Sequence, residues 1–240
     1  IQLSLSKGQK LIIDVFDSYN LGLYQINTLE IVQDSRNRWY ACITVKDFPR
    51  QVSGMGSVGI DLGLKESATT SNGDKLTTKQ TQKWAERLAI AQRAKNKQRV
   101  KAIHAKIKNS RLDAIHKFTT KLVKDNALIV VGDVKSRSFT SKKTNLAKST
   151  YDAGWFELKR QLEYKCKYAG CQLEIVNERY TTQTCSCCGD MSSSPKGRAG
   201  LGIRGWSCAE CGTWHDRDIN AAKNILAVGL DRLAEGIPSL

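Results

Sequence analysis

Two Cys-x-x-Cys pairs, Cys185-x-x-Cys188 and Cys208-x-x-Cys211, are separated by nineteen residues and constrain this chain more than any other feature of it. Knuckles spaced in this way set four thiolates around one tetrahedral zinc ion and close the loop between them into a metal-braced ribbon. A site of four cysteines has no open position, so the ion is read as structural. After three intervening residues beyond the last ligand the chain continues His215-Asp216-Arg217-Asp218-Ile219-Asn220-Ala221-Ala222. A ribbon that only staples a loop does not need this acidic continuation. The ribbon therefore reads as an insert, residues 181–211, inside a larger unit whose other acids have to be found.

The remaining cysteines are Cys42, Cys166, Cys171 and Cys187. Cys166 and Cys171 read as small buried residues. Cys187 lies inside the first knuckle, where Cys185 and Cys188 have the better ligand spacing. No export signal accompanies the cysteines, so a disulfide framework is not expected and a reducing cytosol is the implied compartment. No stretch approaches the roughly 20 apolar residues that span a bilayer. The chain opens on Ile1 in an alternating segment and reads as the C-terminal part of a longer protein or as a processed chain.

Its 240 residues carry 38 Lys and Arg against 23 acids, a formal charge of +15. Such a surplus favours polyanions, and without an amphipathic anchor nucleic acid is a better partner than a membrane. The charge is concentrated: residues 79–125 hold 14 basic and three acidic residues, +11 of the total.

Residues 1–52 alternate in polarity and are β-branched, which predicts a partial β-barrel module. Val58-Gly59-Ile60-Asp61 is a short buried strand ending in an acid, and Asn72-Gly73 marks a hairpin behind it. Residues 79–125 have helical spacing on two arms. Trp84, Leu88 and Ala91 lie on one; Ile103, Ile107, Leu112, Ile115, Phe118 and Leu122 lie on the other, with Lys95 to Arg99 as the joint. Leu128–Val131 is a continuous apolar run, the mark of a strand covered on both faces. A basic loop over 135–148, a helix from Tyr151 to Ala169, a strand from Gln172 to Glu178 and, after the ribbon, a helix from Asp218 to Leu233 complete the order. This is an α/β arrangement of ribonuclease H type with a mixed sheet over 53–78, 126–180 and 212–240. Trp155 and Trp206 read as core residues.

Phosphodiester hydrolysis by two Mg²⁺ ions requires carboxylates that converge on the pair. The carboxyl ends of neighbouring parallel strands are a natural meeting point. Asp61 is the first candidate, with turn capping as its plain alternative. Asp218 is the second, followed by the small Ala221 and Ala222 that permit close packing on a sheet; Asp216 reads as a helix cap.

Val58-Gly-Ile-Asp-Leu-Gly, the basic helical hairpin, Tyr180-Thr-Thr-Gln-Thr-Cys-Ser-x-Cys-Gly and His215-Asp-Arg-Asp-Ile-Asn-Ala-Ala-x-Asn-Ile together resemble the TnpB family over residues 55–230. TnpB proteins are similar in turn to compact type V CRISPR effectors and to Fanzor proteins. The resemblance implies a RuvC-like nuclease domain with an inserted zinc ribbon, guided by RNA to cut DNA, in a bacterial or archaeal cytosol near the nucleoid. The family pattern carries Glu-Asp-Leu at the end of the middle strand; here it reads Gly132-Asp133-Val134. One step along a strand reverses a side chain, so Asp133 is a poor substitute. Glu178, 46 residues after Gly132 at the end of the following strand, is better placed, and relocated glutamates of this kind occur in the family. The expected site is therefore Asp61, Glu178 and Asp218 with two Mg²⁺ ions, beside a zinc held by Cys185, Cys188, Cys208 and Cys211. Lys95, Lys97, Arg99, Lys106, Lys108 and Arg111 are the expected contacts to guide RNA and target DNA, a solvated helix face being the plain alternative. Lys196, Arg198 and Arg204 are expected to turn toward a nucleic-acid backbone. A nuclease-dead guided binder is the competing reading, which Gly132 favours. A zinc DNA-binding protein without RNA would leave Asp61 and Asp218 unexplained, and a tyrosine transposase has no motif around Tyr151 or Tyr180.

Overall fold

The computed structural model describes residues 1–4, 8–17, 19–46, 52–134, 153–196 and 199–235. In chain order its strands are β1 (Gln2–Ser4), β2 (Lys10–Ile12), β3 (Ile26–Gln33), β4 (Trp39–Val45), β5 (Gly56–Asp61), β6 (Ala68–Thr70), β7 (Lys75–Leu76), β8 (Asn126–Gly132), β9 (Gln172–Val176), β10 (Gly205–Ser207) and β11 (Trp214–Asp216). The α-helices are α1 (Gln80–Arg93), α2 (Lys97–Asp125), α3 (Trp155–Ala169) and α4 (Arg217–Ala234).

The apolar run Leu128–Val131 lies where its composition requires, inside a five-stranded sheet of order β7-β6-β5-β8-β9. β8 pairs in parallel with both β5 and β9, while β6 and β7 continue from β5 as an antiparallel hairpin through the turn at Gly73. Successive side chains of a strand point to opposite faces. Ile129 and Val131 join Val58 and Ile60 against Ile115, Leu122 and Val123 of α2 and Leu158 and Leu162 of α3. Leu128 and Val130 face the other way and pack with Val176 on Ile225, Leu226 and Val228. The sheet is thus sandwiched between α2 with α3 on one face and α4 on the other, a mixed α/β architecture.

Contact on the α4 side is unusually close. A methyl group at Gly59 would overlap the Ala222 carbonyl oxygen and stand 2.8 Å from the Leu226 amide nitrogen. Ala221 and Ala222 are fully buried there, so the small residues do bring this helix onto the sheet.

α1 and α2 pack on each other through Trp84, Leu88, Ala91, Val100, Ile103 and Ile107. Lys95 turns the chain between them at φ +51°, and the Asn96 side chain caps α2 by accepting from the Arg99 amide at 2.9 Å. The joint is consequently shorter than its composition implied: Lys97 and Arg99 belong to the first turn of α2. At its other end α2 enters the main core, so its apolar spacing serves two clusters in succession.

Several boundaries differ from the sequence-based expectation. The strands before residue 52 pair only in twos, β1 with β2 and β3 with β4, and no barrel closes among the described residues. α3 begins at Trp155 after a left-handed Gly154; the 135–148 loop and Tyr151 lie outside the described residues. Trp155 and Trp206 are both buried. No helix among the described residues is long and apolar enough to cross a membrane.

Replacing Gly59 by Val should force α4 away from β5 and lower stability by about 1–3 kcal/mol, the range typical of an overpacked core. Urea unfolding measures this, and an unchanged midpoint would mean that α4 is not seated as described.

Candidate active site

Three elements deliver three acids to one place. β5 ends at Asp61, Glu178 lies two residues beyond β9, and Asp218 occupies the first turn of α4. Parallel pairing sets the ends of β5, β8 and β9 on one edge of the sheet. Asp216 starts α4 by accepting from the Asp218 amide at 3.0 Å and the Ile219 amide at 3.1 Å, the role its position suggested. Asp61, Glu178 and Asp218 then line a single cavity of about 330 Å³ together with Lys65, Arg204 and Arg217.

Burial pushes the Asp61 carboxyl up to about 7, the negative charges of Asp218 and Glu178 adding to the effect and Arg217 and Arg204 partly offsetting it. Glu178 is also raised, chiefly by burial; Lys159 opposes the shift and Asp133 adds to it. Asp218 is held differently, its two oxygens accepting from Arg204 Nη1 at 3.0 and 3.2 Å.

Gly132 and Glu178 are spatial neighbours. A methyl group at position 132 would stand 3.0 Å from Glu178 Oε2 and 3.3 Å from Glu178 Cβ. The volume that a side chain on the end of β8 would use is filled by the carboxylate arriving from the next strand. Asp133 bonds Lys159 at 3.0 Å and is not among the residues lining the cavity.

The ligating atoms of Cys185, Cys188, Cys208 and Cys211 all lie within 4.8 Å of one another. Sulfur separations of 3.7 Å (Cys185–Cys211) and 3.6 Å (Cys188–Cys208) fit a tetrahedron with Zn–S bonds of about 2.3 Å, whose edges are about 3.8 Å. Cys187 is exposed and outside the cluster. Behind the sulfurs, His215 Nε2 lies 3.0 Å from Cys185 Sγ, and its ring packs on Trp206 at 4.8 Å. Burial lowers the His215 pKa, which favours a neutral ring beside Cys185. Among the described residues this is the tight ligand cluster; the three acids share a cavity without closing into one.

The ribbon and the acid site are physically joined. The β10–β11 hairpin carries the ribbon beyond residue 211 to Asp216, the cap of α4. Asn220 bonds the Ser186 amide (2.9 Å) and the Thr184 carbonyl (2.8 Å), and Asn224 donates to the Thr181 (2.8 Å) and Thr184 (2.7 Å) carbonyls. Sequence reasoning passed over this tie, although two asparagines four apart share one helix face. It also gave Arg204 to a nucleic-acid backbone, whereas the guanidinium holds Asp218. Of its companions, Lys196 is exposed and Arg198 lies outside the described residues.

The expected helical contacts lie apart from this cavity. Lys95 is in the joint, Lys97 and Arg99 are in the first turn of α2, and Lys106, Lys108 and Arg111 follow along it. Arg99 and Lys106 border a second cavity with Trp84, Lys108 borders a third, and Arg111 packs beside Gly154.

The electrostatics make a directional prediction for the metal-free protein. The unfolded Asp61 carboxyl ionises near 3.8 and the folded one near 7, so folding favours the protonated form and stability falls as pH rises through that window. Asp61→Asn removes this cost. Its stabilising effect should be present at pH 8 and vanish below about pH 4, read from urea midpoints across pH. A gain independent of pH would overturn this account.

A family model described as "Cas12f1-like, TNB domain" matches residues 155–225, and one described as "Probable transposase" matches residues 40–142. A Streptomyces pristinaespiralis protein named "Putative RNA-guided DNA endonuclease" is 35% identical over 224 residues, covering 87% of this chain and 54% of the relative. InsQ of Escherichia coli K12, given the same description, is 32% identical over 85% of this chain and 57% of its own length. The TnpB-like protein L79 of Acanthamoeba polyphaga mimivirus is 27% identical over 85% of this chain and 43% of its own length. The chain therefore spans about half the length of the curated relatives it matches. Its fold resembles the protein in a solved Cas12f1–sgRNA–target DNA complex, with TM-score 0.51 and 17% identity over 82% of this chain and 55% of that one. The two family models and the relatives aligned along most of its length together support a TnpB-type protein.

Proposed function

We propose that this chain forms the nuclease portion of an RNA-guided DNA endonuclease that acts in the cytosol, with a RuvC-like domain over residues 53–78, 126–180 and 212–240. The observation that carries the reading is the convergence of Asp61, Glu178 and Asp218, from three separate elements, on one cavity. Three oxygen-donor side chains, one pushed up to about 7, suit hard divalent cations, whose charge takes the place of the proton. Two Mg²⁺ ions bound there would activate water and stabilise the leaving oxygen of a phosphodiester. Arg204 and Arg217 place positive charge on the wall of the cavity and moderate the repulsion among the acids. Lys65 adds a third cation to the lining.

The cysteine cluster fits zinc in a structural role. The ion would fix the ribbon, residues 181–211, and through Asp216 and the two asparagines fix the start of α4, which bears Asp218. The pair α1–α2 is read as a basic hairpin inserted between β7 and β8. Its Lys95, Lys97, Arg99, Lys106, Lys108 and Arg111 would grip guide RNA and target DNA through phosphates, while base pairing reads the sequence.

Gly132 also permits a second reading, a guided binder that does not cut. Glu178 in the space beside Gly132 favours the nuclease. The two separate in one assay. RNA-loaded protein should cleave a matched plasmid in Mg²⁺, and Glu178→Gln should bind the same target with cleavage reduced at least about 100-fold, the scale of a lost electrostatic group at a reacting centre. If wild type binds its target and leaves it intact, the guided-binder reading stands instead.

Cys208→Ser tests the metal assignment separately. Its zinc content should fall from one ion per chain to near zero, and proteolysis should cut within residues 181–211. Retained zinc would remove Cys208 from the ligand set.

A further inference from the structure

The tip of the β3–β4 hairpin stands against the helix pair, and the groove between them has no part in the acid site. Asp34 shapes the tip by accepting from the Arg36 amide at 2.8 Å and the Arg38 amide at 3.0 Å. A cavity of about 360 Å³ opens here, bordered by Arg36 of the hairpin, Arg87 of α1, and Arg99 and Lys106 of α2. No carboxylate lines it, and among the described residues none of the four cations is in an ion pair. Elsewhere the cations are treated otherwise: Arg38 is paired with Asp34, Lys117 with Asp113 and Lys121 with Asp74.

Trp84 organises this cluster. Its ring carries the Arg87 guanidinium at 5.1 Å and the Lys106 ammonium at 4.8 Å, which holds both cations beside the cavity. An adjoining cavity of about 700 Å³ has Lys101, His104 and Lys108 on its helix wall and Tyr40 on its hairpin wall. Asn109 borders both cavities, so Lys101 and Lys108 extend the basic helix wall along α2, while Asp34, paired with Arg38, is the one acid lining the adjoining cavity.

We propose that this groove is a two-walled clamp for a phosphodiester backbone, closed by Arg36 from the hairpin and by Arg87, Arg99 and Lys106 from the helices. The inference rests on the nucleic-acid reading above and extends it. It makes the β3–β4 tip, previously only a strand connection, one wall of the binding site, and it gives Trp84 a positioning role. Four unpaired cations around one cavity repel each other, and successive phosphates supply the missing negative charge with charge-assisted hydrogen bonds to the guanidinium groups. The lining would contact the backbone without reading bases, so a duplex of RNA or of DNA offers the same chemistry.

The test measures binding of short labelled RNA and DNA duplexes as salt is varied, in an Asp61→Asn background without added Mg²⁺. Replacing Arg36 and Arg87 together by Ala should lower the slope of log K against log salt by about two, one for each lost contact, and weaken binding about 100-fold at 0.1 M salt. Lysine at both positions should restore most of the slope, because charge is what acts. A control pair, Lys46→Ala with Lys167→Ala, removes the same charge from exposed positions outside the groove. The clamp is overturned if the arginine pair loses no more than this control, or if the lysine pair behaves like the alanine pair. Since nothing is cleaved in this assay, a failure of the nuclease reading would leave the result intact, and a failed clamp would leave the acid site untouched.

Discussion

The close seating of α4 on the sheet is the constraint on which the rest depends. Asp61 is fixed by β5 and Glu178 by the end of β9, but Asp218 reaches the same cavity only if the helix lies almost in contact with the β5 backbone. Gly59 provides that approach, since any side chain there would meet the Ala222 carbonyl. The buried Ala221 and Ala222 complete the contact. A few atoms of missing side chain thus set the position of a charged group a full turn away.

The ribbon enters the same argument from the other end of the helix start. Asp216 ends β11 and caps α4, and Asn220 and Asn224 fasten the first knuckle to the helix. A rigid ribbon therefore fixes the rotation of the first helical turn. This gives four cysteines that have no open position, and so no direct chemistry, a mechanical role in placing the candidate acid Asp218 seven residues after Cys211. It also explains the double duty of Arg204, which leaves the ribbon just before β10 and neutralises Asp218. Three acids in a half-buried cavity repel one another. Arg217 and Arg204 offset part of that repulsion, and the pKa of Asp61, raised chiefly by burial, records the remainder.

Much of this was legible in the sequence. The Cys-x-x-Cys spacing, the covered strand Leu128–Val131, the Asn-Gly hairpin and the two apolar helix arms each carry a period or a spacing that local physics enforces. What escaped depends on contacts between distant segments. Alternation in residues 1–52 specifies half-covered strands and not their second neighbours, so the pairing in twos among the described residues could not be read from it. Arg204 is one arginine among many until the fold brings it to Asp218. Arg36 and Trp84 lie some fifty residues apart with no common motif, and only packing makes them walls of one cavity.

Under the proposed nuclease reading, Glu178 supplies from one strand end a carboxylate that the family pattern places on the neighbouring one. β8 and β9 are parallel neighbours, with Gly132 opposite Val176. Both strands end at the same edge, so either end can direct a side chain into the same volume. That volume holds one carboxylate group: a Cβ at position 132 already approaches Glu178 to 3.0 Å. A glutamate at each position would force two anions into one space and raise both pKa values. Glycine at 132 is then the steric counterpart of glutamate at 178, since the two strand ends compete for one volume.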